Sequence, residues 1–137
     1  MNQAWVREFT SNFSSARLDK LMDMYADDIH FEEVIFAHKA NGKAALRDLY
    51  DALFNRPDAG EHVFPVTGYT GNTDGGASEW TWQAKHAGNC LGVPAQGKET
   101  STKGVSVMTF KNGKIASQRD YWDANAVLRQ LGAVKSL

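Results

Sequence analysis

The sequence predicts an α+β fold, and three observations carry that prediction. Up to Asn55 the chain is dominated by apolar side chains at spacings of three and four, the period of a helix with one buried face. From residue 61 onward it changes to short runs of branched and aromatic residues divided by glycine-rich turns. The last of these, Gly104 to Asp123 (GVSVMTFKNGKIASQRDYWD), reads as two strands around Asn112-Gly113, a dipeptide that tolerates the positive φ angles of a type I′ turn. Helices followed by a run of antiparallel strands imply helices packed on one face of a curved sheet.

Taken in order, Trp5, Phe9 and Phe13 mark an amphipathic helix over residues 3 to 14. After a break at Ser14-Ser15, Leu18, Leu21, Met22 and Tyr25 mark a second, short helix that ends at Ala26-Asp27-Asp28. Ile29 to Phe36 reads as a strand, with Ile29, Phe31, Glu33 and Ile35 on one face and His30, Glu32, Val34 and Phe36 on the other. A register one residue different would turn Glu32 inward instead of Glu33. Asn41-Gly42 turns into a third helix, Lys43 to Asn55, with Leu46, Leu49, Leu53 and Phe54 on its buried side and Pro57 as its stop. Strands are expected over Glu61 to Thr70, Ser78 to His86 and Ser101 to Phe110. Gly71 to Gly76 forms the clearest turn, and Ala87 to Gly97 a long loop. Asp123 is placed to cap a final helix, Ala124 to Leu131, with Gly132 just past its end.

The hairpin points to the chemistry. A two-residue turn at Asn112-Gly113 sets Phe110 opposite Ile115, Val107 opposite Gln118 and Val105 opposite Asp120. Val105, Val107, Gln118, Asp120 and Trp122 then share one face, and Ser106, Met108, Ser117, Arg119 and Tyr121 the other. A carboxylate among valines and a tryptophan is costly to desolvate, so its pKa rises. Arg119 points away from it. Asp120 is therefore the lead catalytic candidate, and Glu33, on the apolar face of its strand, is the second.

Bulk composition narrows the classes. A chain of 137 residues, 42% hydrophobic and 23% charged, fits one domain over residues 1–137 with a core of its own. A net charge of −1, with no basic run, argues against a nucleic-acid partner. Cys90 is the one cysteine and reads as a reduced, apolar filler. No secretory signal and no membrane-spanning segment is evident, so a cytoplasmic location without membrane association is expected. His38, His62 and His86 lack metal-ligand spacing, and neither GxGxxG nor a P-loop occurs; no metal and no cofactor are expected.

The order helix, helix with Met24-Tyr25-Ala26-Asp27-Asp28, strand, helix, then a meander ending in Gly113-Lys114-Ile115 through Arg119-Asp120-Tyr121-Trp122-Asp123 and Leu128-Arg129-Gln130-Leu131-Gly132 resembles the nuclear transport factor 2-like (cystatin-like) superfamily. Within it the likeness is to SnoaL-like polyketide cyclases and ketosteroid isomerase-like proteins. The resemblance runs over essentially the whole chain. It implies a cone-shaped fold, a curved antiparallel sheet wrapped around the N-terminal helices, an apolar interior pocket, and a homodimer. It also matches Asp120 to the acid/base aspartate that SnoaL-like cyclases carry on the last strand. The histidine some relatives add on the preceding strand has no counterpart in Val105 to Phe110. Limonene-epoxide hydrolase-like enzymes need an Arg-x-Asp pair where this chain has Trp80-Thr81-Trp82. For ketosteroid isomerase-like enzymes, Glu33 matches the base, while Phe9 and Ser106 stand where the oxyanion hole would be. Scytalone dehydratase-like sites would call on His30 and His86.

Trp80, Trp82, Ala84 and His86 share a strand face, which the comparison with the hydrolases turns inward. With Trp122, Phe9, Phe13, Phe54, Val105 and Gln118 they would line an aromatic pocket for a small, hydrophobic, ring-bearing molecule. The function expected is acid/base catalysis without a cofactor, as in an isomerase, a cyclase or a related lyase or hydrolase, with Asp120 moving the proton. The alternative is a member of the same fold that binds a small ligand or a partner protein and catalyses nothing.

Overall fold

In the computed structural model, which describes residues 2–56 and 58–134, the last strand of the chain lies inside the sheet rather than at its edge. The element order is α1 (Gln3–Ser11), a 3-10 turn (Ser15–Arg17), α2 (Leu18–Met22), β1 (Tyr25–Glu33), β2 (His38–Asn41), α3 (Lys43–Phe54), β3 (Glu61–Val63), β4 (Val66–Gly71), β5 (Gly75–Lys85), β6 (Glu99–Lys111), β7 (Lys114–Trp122) and α4 (Ala124–Gln130). The seven strands form one sheet in the order β2-β1-β7-β6-β5-β3, with β4 pairing the other half of the long β5. The fold is α+β, a curled sheet with the helices on its inner side and at its ends, as the nuclear transport factor 2-like resemblance implies. One pair departs from the antiparallel expectation: β1 and β7 run parallel. The chain leaves β1 and returns beside it, as β7, only after five more strands, so the sheet is mixed.

Local chemistry accounts for the ends of the elements. Asn2 caps α1 by accepting the Trp5 N–H at 2.9 Å. Asp123 caps α4 through the Ala126 N–H at 3.0 Å. The end of α4 is a Schellman motif: Gly132, at φ +77°, bonds the Arg129 carbonyl and Ala133 bonds that of Leu128. Asn112 and Gly113 both take positive φ, +53° and +74°, so the β6–β7 turn is of the type expected. The stop assigned to Pro57 lies outside the described residues.

Four expectations are corrected. Tyr25 opens β1 instead of ending α2, because its ring is wholly buried among Phe9, Tyr50 and the sheet, and that contact outweighs the helical spacing. A short polar strand, β2, pairs with the second half of β1. The single strand expected over Glu61 to Thr70 is two, interrupted at Phe64-Pro65, because proline has no N–H for a ladder. The hairpin register also changes beyond its first pair. Phe110 does face Ile115, but Thr109 faces Ser117, which leaves Ala116 as a bulge. Ser106 therefore stands opposite Asp120, and Met108 opposite Gln118.

Two apolar clusters fill the concave side. The larger joins Phe9, Leu21, Tyr25, Ile29, Phe31, Leu46, Tyr50, Met108 and Ile115. The smaller joins Cys90, Ala95, Val127 and Leu131, with Trp82 and Trp122 against it. Burial raises the Cys90 thiol above its ordinary pKa, in keeping with a filler. Among the described residues, no helix is long and apolar enough to cross a membrane.

Candidate functional site

A cavity of about 410 Å³ opens on the concave face, and its walls touch both clusters. Phe9, Phe13, Phe31, Phe54 and Phe64 line it together with Trp80, Trp82 and Trp122; Asp120, Glu33 and Ser106 supply polar atoms. The size suits a drug-sized or bicyclic to tricyclic molecule. The tryptophans are held in place rather than loosely packed. Trp82 and Trp122 meet edge to face with centroids 5.4 Å apart. The Trp80 ring passes so close to Gly104 that a β-carbon there would come within 2.3 Å of it, so only glycine admits that ring position. Its indole N–H donates to Ser106 Oγ at 3.0 Å.

Asp120 sits at the centre of a hydrogen-bond relay. Ser106 Oγ donates to Asp120 Oδ1 at 2.6 Å, and Gln118 Nε2 donates to the same oxygen at 2.9 Å. Gln118 Oε1 in turn accepts from Tyr25 Oη at 2.7 Å. Tyr25 has then spent its proton, so in the 2.7 Å contact between the two phenols Tyr50 is the donor. Both bonds to the carboxylate fall on Oδ1. Among the described residues nothing donates to Oδ2, and no Lys or Arg pairs with the group. Burial pushes the Asp120 carboxyl up from its ordinary 3.8 to about 6. The Ser106 and Gln118 bonds pull it partly back, and the charge of Glu33 adds a small upward push.

Glu33 is a register neighbour of Asp120 across the parallel β1–β7 pair and also faces the cavity, so it is Glu33 and not Glu32 that turns inward. Its carboxylate is fully engaged. Oε1 accepts from Trp122 Nε1 at 2.7 Å and from the Ile35 N–H at 2.9 Å, and Oε2 accepts from the Phe36 N–H at 2.8 Å. The group closes the β1–β2 turn and pins the Trp122 ring.

Of the other positions singled out in the sequence, Phe9, Phe13, Phe54, Trp80, Trp82, His86 and Trp122 line the cavity. Two do not. The bulge at Ala116 sends Val105 to the opposite face, where it pairs with Tyr121, and Gln118 lies behind Asp120, 1% exposed, as its hydrogen-bond partner. Sequence reasoning missed Ser106, Ser78, Tyr50, His62 and Arg56 as lining residues. Ser78 could have been found as the next inward position on the Trp80-Trp82 stripe; the others depend on packing between distant segments. His62 Nδ1 accepts from Trp82 Nε1 at 2.9 Å and its Nε2–H donates to the Ala59 carbonyl. Burial lowers the pKa of His62 despite that carbonyl, and lowers that of His86 too, so both rings are neutral at pH 7. Among the described residues no three His, Cys, Asp or Glu side chains converge as metal ligands would.

An aromatic chamber inside a curled sheet, with a perturbed carboxylate on its last strand, defines a small pocket protein of the α+β class. Residues 4–131 match the model of the SnoaL-like polyketide cyclases, and the chain belongs to that family. Similar solved structures include a putative SnoaL-like polyketide cyclase from Shewanella putrefaciens CN-32, at TM-score 0.78 and 15% identity over 96% of each chain. A hypothetical protein with a ketosteroid isomerase-like fold from Catenulispora acidiphila DSM 44928, in complex with trimethylamine, aligns at TM-score 0.76 and 14% identity, covering 98% of this chain and 96% of its own. AclR, a putative hydroxylase from Streptomyces galilaeus, aligns at TM-score 0.74 and 19% identity over 98% of this chain and 87% of its own. Identities this low establish the shared fold and nothing finer. No curated protein matches the sequence.

Proposed function

We propose that this protein is a cofactor-independent acid/base enzyme that moves a proton on a small, hydrophobic, ring-bearing carbonyl compound, with Asp120 as the base. One observation carries the reading: Asp120, a desolvated carboxylate, lines an aromatic cavity, and among the described residues no donor binds its Oδ2 while Oδ1 is held by two. A base near pH 6 is ionised at neutral pH yet still binds a proton well, the balance general-base catalysis favours. In the step, Oδ2 takes the proton from the carbon beside the carbonyl. The C–H electron pair becomes the enolate, and the proton returns to another carbon, or the enolate carbon attacks a second carbonyl of the same substrate, whose π pair moves onto its oxygen and takes the proton back from Oδ2. The first outcome is isomerisation, the second cyclisation.

Glu33, with all three of its hydrogen bonds made to the protein, acts in this reading as a positioning residue through Trp122. The competing role, a ligand-binding cone without turnover, is favoured less because among the described residues Asp120 has no cationic partner and its pKa is raised rather than lowered.

The test is exchange of the acidic ring protons of 2-tetralone, a flat enolisable ketone, in D2O. Wild type accelerates exchange, with the rate rising through about pH 6 as Asp120 ionises. Asp120→Asn, whose Oδ1 can keep both hydrogen bonds, loses the acceleration. Full acceleration in that variant would refute the assignment.

A further inference from the structure

One buried hydroxyl in the cavity wall has no partner. Ser78 on β5 is 1% exposed and lines the chamber, yet its Oγ makes no hydrogen bond with any described residue. Leaving such a group unsatisfied is costly, and native structures rarely do so without a reason. Its position supplies one. The ladder sets Glu33, Asp120, Ser106 and Ser78 side by side on β1, β7, β6 and β5, a polar row across the inner face of the sheet. Ser78 is thus two strands from Asp120, about 10 Å between backbones at the usual strand spacing of about 4.8 Å, with both side chains on the cavity side.

The hydroxyl and indole hydrogens around the carboxylate are committed. Ser106 gives its proton to Asp120, and Trp80 gives its to Ser106. Trp122 donates to Glu33, Tyr25 to Gln118, and Tyr50 to Tyr25. In this row the Ser78 O–H alone remains free to donate.

We propose that the Ser78 hydroxyl is the donor that holds the carbonyl oxygen of the substrate, one ring position away from the carbon that Asp120 deprotonates. The inference rests on the acid/base reading of Asp120 and narrows its substrate to a ring ketone bound oxygen-first against β5. As Oδ2 removes the proton, the electron pair of the broken C–H bond moves onto the carbonyl oxygen. The Ser78 O–H, turned to that oxygen in the complex, strengthens its bond to the growing charge. No second reactant is needed.

Two ligands and two variants test this. Binding of 2-tetralone and of tetralin, the same ring system without the oxygen, is read from quenching of the cavity tryptophans. Wild type prefers the ketone. In Ser78→Ala the ketone binds roughly fivefold to tenfold more weakly, the worth of one neutral hydrogen bond, while tetralin binds as before, which also certifies the fold. The same variant melts a few degrees higher without ligand, because an unsatisfied hydroxyl has been removed. Its catalysed exchange falls by more than its binding does. Asp120→Asn keeps the preference for the ketone and loses exchange. If Ser78→Ala retains the preference, or wild type has none, the role of Ser78 is refuted. If instead Asp120→Asn still exchanges, the base assignment fails while the binding result on Ser78 stands by itself.

Discussion

Two carboxylates stand next to each other in this sheet and have opposite surroundings. Glu33 ends β1 where the chain turns, so two backbone N–H groups of the turn and the Trp122 indole reach it and use both of its oxygens. Asp120 lies within β7, where the backbone N–H groups belong to the ladder. It receives only side-chain donors, and both land on one oxygen. The lesson is geometric. A carboxylate at the end of a strand is satisfied by the turn and becomes a structural element, whereas one in the body of a strand, facing a cavity, keeps an oxygen available for chemistry.

The largest effect expected from breaking this contrast is at Asp120. Replacing it by Asn should lower turnover of an enolisable substrate by about 10²–10⁴, the usual contribution of a general base. The same change should stabilise the protein at pH 7–8. The folded-state pKa, about 6, lies above the ordinary 3.8, so the folded state binds more protons than the unfolded one between those values. Stability therefore falls as pH rises through that window. At about 1.4 kcal/mol per pH unit the cost approaches roughly 3 kcal/mol at neutral pH. Melting curves of both proteins at pH 4 and pH 8 check this: the advantage of Asn appears at pH 8 and disappears by pH 4.

Glu33→Gln comes next. The amide nitrogen cannot accept the N–H groups that the carboxylate now takes, so the β1–β2 turn should lose about 1–3 kcal/mol. Activity should drop less than in Asp120→Asn and track a change in Trp122 fluorescence. An activity loss as deep as that of Asp120→Asn, with the turn intact, would make Glu33 a second catalytic group.

Ser106→Ala removes a donor from Asp120 and leaves the Trp80 N–H unpaired. Because the serine bond favours the ionised carboxylate, the rising limb of the pH–rate profile should move above 6. The smallest effect is expected for Tyr50→Phe, which deletes only the distal bond to Tyr25. A stability loss of about 1 kcal/mol and an unmoved pH profile are expected there.

Much of this was legible in the sequence, and where reading failed a physical cause can be named. Asn112-Gly113 announced its turn because few residues tolerate two successive positive φ angles. The bulge at Ala116 had no such signature: Ala116-Ser117 is compatible with a regular strand, and the extra residue is set by how β7 fits between β1 and β6. That single residue moved Ser106 to the cavity side and Val105 to the other. The placement of Asp120 on the cavity side survived the slip, because its own facing depends on its strand and not on which partner it meets. Tyr25 was misread as helical because Leu18, Leu21 and Met22 share its spacing; only the tertiary contact with Tyr50 and Gln118 reveals its place. The Trp80-Trp82 stripe gives the facing of Ser78, but that its hydroxyl is buried without a partner is set by packing and has no mark in the sequence.

The most direct measurement is the titration of the Asp120 carboxyl carbon by NMR in the ligand-free protein, assigned through its loss in Asp120→Asn. The account predicts a midpoint near pH 6, moving higher in Ser106→Ala. A midpoint at or below 3.8 would mean a solvated or clamped carboxylate and would contradict it.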